Sequence, residues 1–101
     1  MIPTMRKKRR YIHFKFESSL RLSESEARDE LYKAILSFLG ELGFSKANPR
    51  LVEFNDNSGI LMCSNQELQN IKAALALVSK IKGEDGCIRL LKVSGMIGKL
   101  Q

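Results

Sequence analysis

The sequence predicts an α+β domain whose elements follow one another as strand, helix, strand, strand, helix, strand. Three observations carry that prediction. Two stretches place apolar residues at steps of three and four, and each is flanked by short alternating or apolar runs of strand length. Both helical stretches are introduced by a Ser-x-x-Glu pattern, Ser23 to Glu26 and Ser64 to Glu67, which is the signature of a capping box. Between them, Asn55-Asp56-Asn57-Ser58-Gly59 gathers residues that tolerate positive φ or bond their own backbone, as a hairpin requires.

The first strand is read from about Arg9 to Ser18, with Ile12, Phe14 and Phe16 facing inward and Tyr11, His13, Lys15 and Glu17 outward. Helix one is read as Glu24 to Leu42. Ala27, Leu31, Ala34, Ile35, Phe38 and Leu42 form its apolar face, Glu24, Glu26, Asp29 and Glu30 complement the dipole at its start, and Gly43 supplies a left-handed stop. Ala47-Asn48-Pro49 is a connector, because Pro49 turns Asn48 away from helical angles. Strand two follows at Arg50 to Asn55, then the hairpin, then a third strand around Ile60 to Cys63. Helix two spans about Gln66 to Lys80, with Leu68, Ile71, Ala74, Leu75 and Val78 on one stripe. Gly83 and Gly86 punctuate a charged turn, and Cys87 to Val93 reads as a buried fourth strand with Ile88, Leu90, Leu91 and Val93. With right-handed crossovers this order gives a four-stranded antiparallel sheet with both helices packed on one face, the ferredoxin-like or RRM-like βαββαβ arrangement. Its other face is left open, as in sheets that serve as RNA platforms.

A chain of 101 residues holds one core, so the expected organisation is a basic N-terminal arm, residues 1–10, followed by a single domain, residues 11–101. The net charge of +6 is a local device: Arg6, Lys7, Lys8, Arg9 and Arg10 supply five cations, and residues 11–101 are close to neutral. The apolar stretch from Ala73 to Val78 is far too short to span a membrane, and the N-terminus has no apolar core of a secretory signal, so no membrane association and a cytoplasmic location are expected. Cys63 and Cys87, with no second ligand at metal spacing, read as buried reduced thiols.

Catalytic chemistry finds little support. The chain has one histidine, no nucleophile elbow and no Gly-rich loop leading into a helix, so no catalytic residue, no metal site and no protein-bound cofactor are expected. Binding chemistry is better represented. The run Arg6 to Arg10 continues directly into a strand that presents Tyr11, His13 and Lys15 on one face, which can hold a polyanion in a defined orientation. Arg89, Lys92 and Lys99 are further candidates for RNA contact, as are Lys46, Arg50, Lys80 and Lys82. Strand three has no aromatic residue where an RNA-recognition sheet places a stacking side chain, so phosphate and shape recognition are expected rather than base reading. Ala73 to Val78 is apolar on more than one helical face, which suits a protein partner.

Five pieces taken in order carry a family resemblance: Arg10-Tyr11-Ile12-His13-Phe14-Lys15, Leu42-Gly43-Phe44-Ser45-Lys46-Ala47-Asn48, Gly59-Ile60-Leu61-Met62-Cys63, Ala73-Ala74-Leu75-Ala76-Leu77 and Val93-Ser94-Gly95. Together they resemble archaeal ribonuclease P protein component 2 over nearly the whole chain. The resemblance implies a non-catalytic subunit that binds and stabilises the catalytic domain of the ribonuclease P RNA for removal of the 5′ leader from precursor tRNA, with hydrolysis carried by the RNA and its Mg²⁺. It also implies a barrel-shaped protein component of the same enzyme as partner, and self-association within a heterotetramer. Two alternatives stay open on the residues alone: a stand-alone RNA-binding module, and a ferredoxin-like protein-interaction domain.

Overall fold

Ile12, Phe14 and Phe16 alternate with polar neighbours, and in the computed structural model, which describes residues 8–95, all three are buried along the central strand β1, Arg9–Ser18. On one side β1 pairs antiparallel with β3, Ser58–Ser64, and beyond it lies β2, Arg50–Asn55. On the other side it pairs antiparallel with β5, Glu84–Ser94, and beyond that lies β4, Lys80–Ile81. The sheet therefore has five strands in the order β2-β3-β1-β5-β4, not the four expected. The added strand has a physical cause. Lys82 and Gly83 both adopt positive φ and close a tight hairpin, and Ile81 is thereby pulled fully into the core.

The helices α1, Glu24–Ala47, and α2, Leu68–Ala76, share one core with the sheet, in which Leu31, Ile35, Ile71 and Leu75 meet Ile12, Phe14, Phe16, Leu61 and Ile88. The capping box at α1 forms as expected: the Glu26 amide donates to Ser23 Oγ at 3.3 Å and the Ser23 amide donates to Glu26 Oε1 at 2.9 Å. The end of α1 differs. The left-handed glycine is Gly40, not Gly43, and the helix resumes beyond it to Ala47, where Asn48 provides the left-handed cap. Burial explains the resumption, because Ala47 is fully buried and Phe44 packs edge-on against Tyr32. The same break leaves Phe38 and Leu42, expected on the buried face, substantially exposed.

Helix α2 is shorter than its apolar pattern. A single 3₁₀ turn, Asn65–Glu67, replaces its expected first turn, and Ser64 makes no cap; its hydroxyl donates instead to the Lys46 carbonyl at 3.1 Å. The central hairpin is as expected, with Asp56 and Asn57 both at positive φ between paired Asn55 and Ser58. Asn57 also fastens the β1–α1 loop, donating to the Leu20 carbonyl at 2.7 Å and accepting from the Leu22 amide at 2.9 Å.

Two bulges alter the face that each strand presents. Opposite β1 the register shifts between His13 and Phe14, so Leu91 has no partner, and Leu90 and Val93 pack on the core while Leu91 is 46% exposed. The apolar run predicts a buried Leu91, and the bulge is why it is not. In β2 the same shift leaves Val52 unpaired, with Leu51 and Phe54 packed on the core. Among the described residues no helix is long and apolar enough to cross a membrane.

Candidate nucleic-acid interface

The sheet face away from the helices is built by register. Tyr11 stands opposite Met62 on one side and Ser94 on the other; His13 opposite Ile60 and Lys92; Lys15 opposite Ser58 and Arg89. The fold thus brings together Tyr11, His13, Lys15, Arg89 and Lys92, all candidates on sequence grounds. Arg89 is partly committed, since its guanidinium lies 3.4 Å from the Glu17 carboxylate. Arg6, Lys7 and Lys99 lie outside the described residues.

At the N-terminal end of β1 the face opens into a cleft of about 680 Å³ lined by Lys8, Arg9, Tyr11, Ser45, Lys46, Asn48, Met62, Cys63, Ser64 and Gly95. Each wall has a local cause. The Asn65 amide donates to the Lys8 carbonyl at 2.8 Å, which holds the cationic run beside the end of β3. Resumption of α1 past Gly40 delivers Ser45, Lys46 and Asn48 to the same place, and the bond from Ser64 to the Lys46 carbonyl fastens them there. Arg10 closes the opposite rim: a Cβ added to Gly95 would stand 2.7 Å from Arg10 Nη1.

Among the described residues the cleft is lined by three cations and no carboxylate. Lys8, Arg9, Lys46 and the neighbouring Arg50 form no ion pair with a described residue, whereas Arg21, Arg28, Lys80, Lys82 and Arg89 are each paired with an acid elsewhere on the surface. Charge left unneutralised by the protein itself is what a polyanion can use. Cys63 forms part of the floor, and burial pushes its thiol up to about 11, so it stays neutral there. Cys87, expected to be buried, is exposed near the far end of β5.

Two other depressions have different chemistry. One, of about 540 Å³, joins His13 and Ile60 to Glu53 and Asp56, so His13 has carboxylates rather than cations in its immediate hollow. The other, of about 500 Å³, lies between the helices, where Ala34, Phe38, Ala74, Leu77 and Val78 form an apolar groove edged by Glu30, Lys33 and Lys80. Leu77 is 67% exposed, so the apolar excess of helix two does reach the surface. Among the described residues no group of three or more His, Cys, Asp or Glu could hold a metal ion.

Sequence reasoning misses Asn48 and Met62 as members of the cleft. It reads Asn48 as a connector and Met62 as a strand residue lacking an aromatic ring, and places both in the pieces that carry the family resemblance, but neither as a binding residue. The one signal that points to them is Pro49, which forces a turn after Asn48 and so returns the end of α1 to the sheet.

Comparison with known proteins supplies the family. A model of the Rpp14/Pop5 family matches residues 10–101. The protein named ribonuclease P protein component 2 from Pyrococcus furiosus is 39% identical to this chain, over 98% of it and 84% of its own length. Its namesake from Methanocaldococcus jannaschii is 41% identical, over 96% of this chain and 72% of its own. A chain in a cryo-EM structure of yeast ribonuclease MRP superposes with a TM-score of 0.72 at 12% identity, covering 93% of this chain and 78% of that one, a likeness of fold. Matched by its family model from β1 onward and aligned with those relatives over nearly its full length, the chain belongs to the Rpp14/Pop5 family.

Proposed function

We infer that the chain is a non-catalytic protein subunit of ribonuclease P, which binds the enzyme's RNA and stabilises its catalytic domain while that RNA, with its bound Mg²⁺, removes the 5′ leader from precursor tRNA. The observation that carries the RNA contact is the cleft at the head of β1, where cations that pair with no described acid converge and no described carboxylate intervenes. Lys8 and Arg9 line the cleft and Arg10 follows them in β1, while Arg6 and Lys7 precede them in the sequence and Lys99 comes four residues after Gly95; all belong to the RNA contact we propose. Tyr11, His13, Lys15, Arg89 and Lys92 continue the proposed contact across the open face, where Lys15, Arg89 and Lys92 carry the charge and His13 borders Glu53 and Asp56. Physically, such cations screen repulsion between RNA strands packed around a metal site and lower the Mg²⁺ needed for the active fold.

The apolar groove between α1 and α2, with Phe38 and Leu77 exposed, suits a protein neighbour, and a barrel-shaped component of the same enzyme is the partner we propose for it. Self-association of such pairs into a heterotetramer, and a cytoplasmic location, belong to the same reading. A free-standing RNA-binding module is less well supported, because Met62 and Ile60 occupy β3 where such a module carries aromatics.

The test is precursor-tRNA cleavage at limiting Mg²⁺ by ribonuclease P RNA reconstituted with the barrel-shaped component and this chain. Arg9 and Arg10 pair with Ser64 and Cys63 inside the sheet, so charge is best removed by Gln substitution of Arg6 to Arg10 and not by truncation. Wild-type chain should restore cleavage, and the neutralised variant should need more Mg²⁺. Equal rescue by both would move the RNA contact to the remaining cations, and rescue by neither, with active RNA and folded protein, would defeat the subunit assignment.

A further inference from the structure

We propose that the cleft at the head of β1 holds one unpaired nucleotide of RNA, its base lying against Tyr11 and Met62 and its phosphates on Lys8, Arg9 and Lys46. The proposal rests on the RNA-binding reading and specifies the form of RNA that this site takes.

Shape is the first argument. The cleft is concave, about 680 Å³, within the size range of small-molecule sites. A duplex presents its phosphates on a convex ridge with bases stacked inside, so it could touch the rim but place nothing within. An unpaired nucleotide can enter.

The arrangement of its walls is the second. Tyr11 is half-buried, and its hydroxyl has no hydrogen bond with a described residue, whereas the hydroxyl of Tyr32 accepts the Leu51 amide at 3.2 Å. Among the described residues, therefore, one tyrosine hydroxyl is engaged and the other is not. Directly across the strand pair from Tyr11 stands Met62, a soft apolar side chain where a two-base platform would need a second ring. One aromatic face and one thioether accommodate a single base. Asn48 lines the same cleft with a carboxamide that makes no hydrogen bond among the described residues, offering a donor and an acceptor to a base edge.

Charge is the third. Arg9 enters from β1 with Lys8 just before it, and Lys46 from the end of α1, so cations flank the Tyr11–Met62 floor from two sides, as a nucleotide with a phosphate on each side requires.

The experiment measures the dissociation constants of full-length protein for a labelled twelve-nucleotide oligouridylate and for a twelve-base-pair RNA duplex, at fixed ionic strength. Tyr11→Ala should weaken single-strand binding about tenfold and change duplex binding less than twofold, while Tyr11→Phe keeps single-strand affinity. Tyr11→Leu, which retains apolar bulk on the strand without a stacking face, should behave as Tyr11→Ala and covers the case in which the smaller residue does not fold. Lys46→Gln should weaken both RNAs and reduce the slope of log K against log salt by about one. If the tyrosine variants affect both RNAs equally, or neither, while Lys46→Gln still weakens them, the nucleotide pocket is overturned and the RNA reading survives. If wild-type protein binds neither RNA, the RNA reading fails and the pocket with it; if wild type binds but Lys46→Gln changes nothing, the phosphate seat in this cleft is overturned and the RNA contact moves to the remaining cations.

Discussion

The Ser64 hydroxyl donates to the backbone carbonyl of Lys46 at 3.1 Å, joining the last strand residue of β3 to the last turn of α1. That carbonyl is one of the helix-terminal acceptors with no partner inside the helix, and Ser64, 6% exposed, satisfies it away from bulk water. The bond also fixes the wall of the basic cleft on which Lys46 and Asn48 stand. Ser64→Ala should lower folding stability by about 1–3 kcal/mol in urea denaturation without a change in m-value. It should also weaken RNA binding although no charge has been removed. A stability loss with unchanged RNA affinity would show that Lys46 needs no such anchor.

Gly59 sits where the β2 bulge drives the Glu53 carbonyl against β3. A Cβ at Gly59 would lie 2.1 Å from that oxygen, and the obstacle is backbone that cannot swing aside. Gly59→Ala should therefore cost at least about 2 kcal/mol, read as a lower urea midpoint. A variant as stable as wild type would mean that the bulge can relax at no cost.

The two thiols should separate kinetically. Cys87 is exposed, while Cys63 is 1% exposed and burial holds its pKa at about 11. At pH 8 an aromatic disulfide reagent should titrate one thiol rapidly and the second only on unfolding. Two fast equivalents would show that the cleft floor opens readily.

Glu26 gives the fold a pH-dependent contribution. Its carboxyl is held at about 2, below the ordinary 4.5, chiefly by its hydrogen bond from the Lys82 ammonium and then by the Ser23 amide. A lowered folded-state pKa means that stability is present above pH 4.5 and lost as pH falls toward 2. Glu26→Gln should be less stable than wild type at neutral pH and should converge with it near pH 2 in thermal unfolding. A constant offset across that range would sink this assignment.

Much of the architecture follows from local pattern. Alternation through Ile12, Phe14 and Phe16 sets the central strand and its register, Ser23 and Glu26 start α1, and Asp56-Asn57 close the hairpin, because each depends on neighbours within a few residues. The cationic run and its continuation into Tyr11, His13 and Lys15 are legible for the same reason.

What the chain's own pattern determined, then, is which faces are apolar and where the elements begin. Only the tertiary structure decided where they end and what they bring together. α1 runs past Gly40 because Phe44 and Ala47 find burial, α2 stops early because Ile81 is worth more inside the core on a fifth strand, and Ser64 leaves its capping role for a carbonyl eighteen residues earlier in the chain. Bulges that expose Leu91 and Val52 depend on partners in other strands. The cleft combines residues from both ends of the described chain, Lys8 and Gly95, with Lys46, Asn48 and Met62 from its middle. No local periodicity encodes such a meeting, because long-range packing free energy outweighs the weak preferences of individual turns.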